Sequence, residues 1–187
     1  MPDQPRTLPD PNPPLTDGTV ILRRYEKSDI RCVEEGSHDP DIPTGTTVPA
    51  TFTVDEGLAW IERQWGRHEE GEGLSLAIAD ADTNEALGNI NLLFRRQPGS
   101  VEIGYWLIER VRGSGLGSRA VALLAHWAVV DCGLARVEAL VLPDNVASQR
   151  VLEKAGFRRE GLLRSYLVLD TRRADAFVYS LLPSDLA

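Results

Sequence analysis

The chain of 187 residues is short of several things, and each shortage removes a class of function. It has 2 cysteines, Cys32 and Cys132. Neither has a second cysteine or a histidine at metal-ligand spacing, so no zinc site and no metal cofactor is expected, and both thiols are read as reduced. His38, His68 and His126 show no motif that ties them to either thiol. No run approaches the roughly 20 apolar residues of a membrane span, so no membrane partner is expected. The N-terminus lacks the basic start and apolar stretch of a secretory signal, and the expected location is the cytoplasm. Positive charge is in deficit: 20 Lys and Arg stand against 28 Asp and Glu, a net charge of −8. A duplex binder needs a basic face, so no nucleic-acid partner is expected. An acidic surface serves solubility, and it also favours the approach of a cationic substrate.

What is present describes one α/β domain. Hydrophobic residues make up 42% and charged residues 26%, an ordinary balance for a chain with one sizeable core. Pro2, Pro5, Pro9, Pro11, Pro13 and Pro14 crowd the start. Proline lacks an amide donor and fixes φ, so residues 1–18 are expected to be a disordered tail and residues 19–187 the folded domain. Val20–Arg24 reads as a strand, followed by a short helix capped by Ser28. Residues 37–50 are turn formers and read as a loop. Thr53 and Glu56 form a capping-box pattern ahead of Leu58, Ile61 and Trp65 at helical spacing. Leu74–Ala79 and Ala86–Phe94 read as a hairpin, and Val101–Ile108 as a further strand. A buried helix over Ser118–Asp131 ends near Gly133. Then come a strand at Arg136–Leu142, a helix capped by Asn145 that ends at Gly156, and strands near Phe157–Leu163 and Phe177–Leu182. Strands followed by alternating strands and helices predict a mixed sheet with helices packed on it.

Arg112-Gly-Ser-Gly-Leu-Gly117 links a strand to the long helix. Glycines allow a tight turn with amides directed inward, and the free N–H groups of the helix start face the same point. With the helix dipole they make an anion site suited to a pyrophosphate. A P-loop requires a lysine after the glycines, and none is there. A dinucleotide fold requires G-x-G-x-x-G in an alternating chain; the spacing here is G-x-G-x-G, although Asp144 could imitate the ribose-binding acid. The third reading is the CoA-binding loop R/Q-x-x-G-x-G/A, which Arg112, Gly115 and Gly117 match in register. A glycine turn without any ligand is the remaining alternative.

Taken with Glu102-Ile-Gly-Tyr-Trp106, Asn145-Val-Ala-Ser148, Glu153-Lys-Ala-Gly-Phe157, Glu160-Gly161 and Asp175 through Leu182, the loop makes residues 19–183 resemble the GNAT superfamily of N-acetyltransferases. Within it the chain is most similar to the RimJ/RimL-type branch, which includes ribosomal-protein N-terminal acetyltransferases. The resemblance implies a GNAT fold: a mixed, mostly antiparallel sheet of six or seven strands with about four helices, splayed between the strands at 101–108 and 136–142. It implies acetyl-CoA as cosubstrate. The pantetheine arm would pair with strand backbone at Trp106, Leu107 and Ile108. The pyrophosphate would lie on the amides of Arg112, Gly113, Ser114, Gly115, Leu116, Gly117 and Ser118. Asn145 would touch the pantetheine region, and Arg150 and Lys154 the cofactor phosphates.

Acetyl transfer needs a neutral amine. At pH 7 neutralising a lysine-like amine costs about 4.6 kcal/mol, and an α-amine only about 1.1 kcal/mol. The resemblance makes Glu102, acting through water, the base. Many members place a tyrosine immediately before the glutamate of E-K-x-G-F as the acid; here that residue is Leu152, and the hydroxyl of Ser148 takes its place as candidate. Tyr105 and Trp106 alternate, so one faces the core and the other the cleft. Asp39, Asp41, Glu69, Glu70 and Glu72 are expected near the acceptor entrance. The expected acceptor is a peptide N-terminus, with a small amine such as an antibiotic or amino sugar as the alternative. A non-catalytic acetyl-CoA-binding module is a further alternative, and a homodimer is the assembly to test for.

Overall fold

The computed structural model describes residues 7–169 and 172–186. Eight strands form a single sheet: β1 (Leu15–Thr16), β2 (Val20–Arg23), β3 (Gly73–Asp80), β4 (Ala86–Phe94), β5 (Ser100–Leu107), β6 (Arg136–Val141), β7 (Arg158–Leu169) and β8 (Arg172–Leu181). Their order is β1-β2-β3-β4-β5-β6-β8-β7. Neighbours are antiparallel except β5 and β6. The helices are α1 (Ile30–Ser37), α2 (Ile42–Gly45), α3 (Val54–Glu69), α4 (Leu116–Val130) and α5 (Val146–Lys154).

Strand side chains alternate between the two faces, and the sheet divides the core accordingly. On one face Leu22, Leu76, Ile90, Val101 and Ile103 pack under α4, whose Val121, Leu124 and Ala128 are wholly buried. On the other, Trp60 and Ile61 of α3 and Val33 of α1 close over Tyr25, Ala77 and Trp106. Thr53 starts α3 by accepting the Glu56 N–H at 3.2 Å.

The mixed sheet expected from the sequence is there, with three local corrections. The tail reading fails within the described part of residues 1–18. Leu8 is 4% exposed, β1 pairs with β2, and Asp10 meets Arg24 at 2.8 Å. Apolar Leu8 and Leu15 gain enough from burial to hold the segment, and prolines lower the entropy lost in ordering it. β1 is what raises the strand count to eight; residues 1–6 lie outside the described residues. The 37–50 loop contains α2, which Asp39 nucleates by accepting the N–H groups of Asp41 and Ile42 at 2.9 and 3.0 Å. Ser28 is not a cap: Asp29 beside it accepts the Glu26 N–H at 2.7 Å and pairs with Arg23.

Candidate active site

β5 and β6 pair over three rungs only, Ser100 with Arg136, Val101 with Val137 and Glu102 with Glu138. Beyond Glu102 the two strands part. The backbone of β5 alternates, and its hydrogen bonds reveal which residues face the gap. Ser100 C=O accepts from Arg95 and Ile108 N–H donates to Leu87, each at 3.0 Å, so even-numbered residues face β4. Gly99 C=O accepts from Ala135 at 2.9 Å, so odd-numbered residues face β6. Ile103, Tyr105 and Leu107 therefore present their backbone to the opening. This corrects the expectation for Trp106 and Ile108, whose backbone groups turn toward β4. Their side chains are core: Trp106 is 7% exposed and its ring lies 6.1 Å from that of Trp60, while Ile108 is 1% exposed.

The glycine loop lies at the end of this open edge. Gly113 (φ 78°) and Gly115 (φ 89°) adopt left-handed backbone, and Gly115 is the residue from which α4 starts. Ser114 Oγ donates to Val111 C=O at 2.6 Å and Ser118 Oγ to Gly115 C=O at 2.9 Å, so both hydroxyls turn onto their own loop. Among the described residues the N–H groups of Gly113, Ser114, Gly115, Leu116, Gly117 and Ser118 donate to nothing. A row of convergent free amides at a helix start is an anion cradle. A Cβ on Gly117 would lie 3.4 Å from Leu107 and 3.5 Å from Val151, so α4 begins in close contact with both β5 and α5.

Arg112 departs from its reading as a cradle amide, because its N–H donates to Glu109 C=O at 3.1 Å. Its Nε donates to Leu107 C=O at 2.9 Å and its Nη2 meets Asp39 Oδ2 at 2.6 Å. It thus ties the loop to β5 and to the segment before α2. Asp39 is correspondingly withdrawn from the acceptor entrance, being 8% exposed. Asp41, Glu69, Glu70 and Glu72 are exposed, with Glu72 meeting Arg67 at 3.5 Å. Burial pushes the Asp39 carboxyl up, but the Asp41 and Ile42 amides and the Arg112 guanidinium outweigh it, and the pKa ends below the usual value. A lowered carboxylate pKa adds stability that is present above the unfolded value, about 3.9, and is lost as pH falls through the folded one. The Tm gap between wild type and Asp39→Asn is therefore expected to be constant from pH 7 to pH 5 and to shrink below about pH 4. A gap independent of pH down to pH 3 contradicts this.

On the far side of the opening, Asn145 caps α5 by accepting the Ser148 N–H at 3.0 Å. Its amide oxygen is thereby committed to the helix. Leu152 is wholly buried. Tyr105 reaches across from β5, its hydroxyl donating to Ser148 C=O at 3.2 Å, and burial pushes its phenol up to about 12. Arg150 and Lys154 are exposed and make no ion pair among the described residues.

Glu102 projects to the opposite face from Tyr105 and is half-buried. It pairs with Arg95, which also approaches Glu138 at 3.8 Å. Glu138 meets Arg136 at 2.9 Å, Arg136 meets Glu160 at 2.6 Å, and Ser180 Oγ donates to Glu160 at 2.7 Å. Arg136, and after it Ser180, hold the Glu160 carboxyl down at about 2. Sequence reasoning missed this line of charges because it depends on the β5–β6 register. Only the arginine-rich ends of the strands hinted at it. Among the described residues no three His, Cys, Asp or Glu side chains cluster as a metal site, and no helix is long and apolar enough to cross a membrane.

The family profile of the acetyltransferase (GNAT) domain matches residues 19–158. The chain belongs to the GNAT acetyltransferase family. It is 26% identical over 170 residues to the uncharacterized N-acetyltransferase YoaA of Bacillus subtilis, covering 90% of this chain and 96% of that one. It is 25% identical over 120 residues to the [ribosomal protein uS5]-alanine N-acetyltransferase of Escherichia coli, covering 63% of this chain and 62% of that one. Among solved structures, Mycobacterium smegmatis RimJ in complex with CoA-disulfide superposes with a TM-score of 0.78 at 24% identity, covering 92% of this chain and 87% of that one.

A GNAT enzyme must hold a long anionic thioester, and the geometry fits one. The part of β5 beyond its last rung with β6 leads to the glycine loop and its free amides. In this acetyltransferase Gly115→Val is expected to weaken acetyl-CoA binding at least 10-fold, because a β-branched residue at φ 89° must shift the loop and misalign its amides. Calorimetry checks it: an unchanged Kd together with an unchanged fold means that the cradle does not bind the ligand.

Proposed function

We propose that this GNAT enzyme transfers the acetyl group of acetyl-CoA to the α-amine of a peptide or protein N-terminus by direct attack on the thioester. The observation that carries the reading is the run of free amides from Gly113 to Ser118 at the mouth of the open β5 edge. The pyrophosphate is assigned to those amides and the pantetheine arm to the edge backbone of Tyr105 and Leu107. Asn145, Arg150 and Lys154 would line the outer part of the same ligand. Glu102, on the opposite face, takes the amine's proton through water, a reading supported by its pairing with a cation, Arg95. Ser148 supplies a hydroxyl at the start of α5.

Direct attack is favoured over an acyl-cysteine route by the state of the thiols. Burial pushes Cys32 far up, and burial pushes Cys132 up to about 11, so neither is an activated nucleophile at neutral pH. The α-amine is favoured as acceptor because its neutralisation costs only about 1.1 kcal/mol at pH 7. The Escherichia coli relative that acetylates an alanine of a ribosomal protein is consistent with it.

Calorimetry with acetyl-CoA, followed in the same sample by thiol release against N-terminal peptides and small amines, tests the proposal. Micromolar binding with release on peptides supports it. Release only on small amines replaces the acceptor class. Binding without release on any acceptor turns the reading toward a non-catalytic module.

A further inference from the structure

When the amine nitrogen bonds to the thioester carbon, the C–S bond breaks and its electron pair goes to sulfur. The surplus amine proton leaves through Glu102 and water. Until solvent protonates it, the sulfur bears charge, and a preorganised donor beside it lowers the barrier. Leu152, wholly buried and without a donor, offers none. Ser114 and Ser118 have turned their hydroxyls onto their own loop, and Tyr179 is wholly buried with its hydroxyl on Glu153 at 3.2 Å.

We propose that the Tyr105 hydroxyl is the hydrogen-bond donor that stabilises the departing CoA thiolate in the reaction proposed above, on which this inference rests. Tyr105 lies past the last β5–β6 rung, on an odd position whose backbone faces the gap. Its phenol spans from β5 to the first turn of α5 and ends on Ser148 C=O. At 3.2 Å that bond is long for a hydroxyl donor, whose usual distance is about 2.7–2.8 Å, so a better acceptor can take it over. Ser148 C=O already faces the helix N–H one turn on and loses little when the phenol turns away. A sulfur carrying charge is such an acceptor. A phenol pushed up to about 12 keeps its proton beside a thiolate whose conjugate acid lies near 8.5, so Tyr105 donates without being deprotonated. A hydroxyl from β5 thus stands beside the Ser148 hydroxyl of the proposed reaction, where residue 152 offers none.

Tyr105→Phe removes one oxygen and keeps the ring. It is expected to lower kcat roughly 10- to 100-fold while acetyl-CoA Kd stays within about two-fold. A second readout needs no turnover. At pH 9, where free CoA is largely thiolate, wild type is expected to bind CoA about 5- to 10-fold more tightly than desulfo-CoA. Tyr105→Phe is expected to abolish that preference. A preference that survives in Tyr105→Phe, or is absent from wild type, overturns the proposal, even if kcat falls, because the hydroxyl then acts only by steadying α5. Wild type that prefers CoA yet acetylates no acceptor overturns the proposed reaction instead, and the binding data alone then decide the sulfur contact.

Discussion

Asp29→Ala is expected to lower the unfolding free energy by roughly 3–5 kcal/mol, a large share of the 5–15 kcal/mol typical of a whole domain. Arg23 and Asp29 are each 7% exposed. The guanidinium donates to both carboxylate oxygens, at 2.8 and 2.9 Å, and to Asn84 Oδ1 at 2.6 Å and Asn84 C=O at 2.8 Å. One buried pair thus ties β2 to the start of α1 and to the β3–β4 turn, where Asn84 holds φ 60°. Removing the carboxylate leaves a charge in low dielectric and frees the Glu26 N–H as well. Urea unfolding reads the effect as a lower midpoint at unchanged slope. The double variant Arg23→Met, Asp29→Leu is expected to be less destabilised than Asp29→Ala, since it strands no charge. Equal losses in the two variants mean that the pair is acting through shape rather than charge.

Glu102→Gln is expected to reduce kcat about 100-fold or more with acetyl-CoA affinity unchanged. The side chain leaves β5 on the face opposite Tyr105 and the cradle, so its loss does not touch the groups assigned to the thioester. Glutamine keeps the size and cannot take a proton. It also leaves Arg95 to Glu138 alone, which lies 3.8 Å away. Stopped turnover with intact calorimetric binding is the expected pattern. A variant that keeps wild-type kcat assigns proton removal to solvent and reduces Glu102 to a partner of Arg95.

How far the sequence was legible depended on the range of the interaction. The hairpin of β3 and β4, the tight glycine turn into α4 and the Asn145 cap are set by residues within a few positions of one another, and they form as read. The burial of Leu8 in the core goes with a contact sixty positions away, His68 Nε2 lying 2.7 Å from Leu8 C=O. Proline counting has no access to that. Asp39 looked like a free loop acid because its partner Arg112 is 73 positions distant. Arg112 in turn matched its motif, but its amide closes the turn onto Glu109 C=O and its side chain joins β5 to Asp39. Motif spacing registers backbone shape, and it says little about where a long cation ends. Tyr105 and Trp106 were assigned to opposite faces correctly, but the alternation could not say which was which; the bulk of Trp60 opposite Trp106 decides it.

The three rungs between β5 and β6 have a mechanical meaning. Strands β1 to β5 make one plate, and β6, β8 and β7 make another. Within the sheet the plates are riveted at one end and wedged apart at the other, with α4 and α5 bearing on the joint. Such a shape resists shear along the rivets and yields to a change in the wedge angle. A slender molecule lying in the wedge touches both plates and fixes that angle. In the reaction proposed above, cofactor binding in the wedge would therefore also stiffen the joint between the plates.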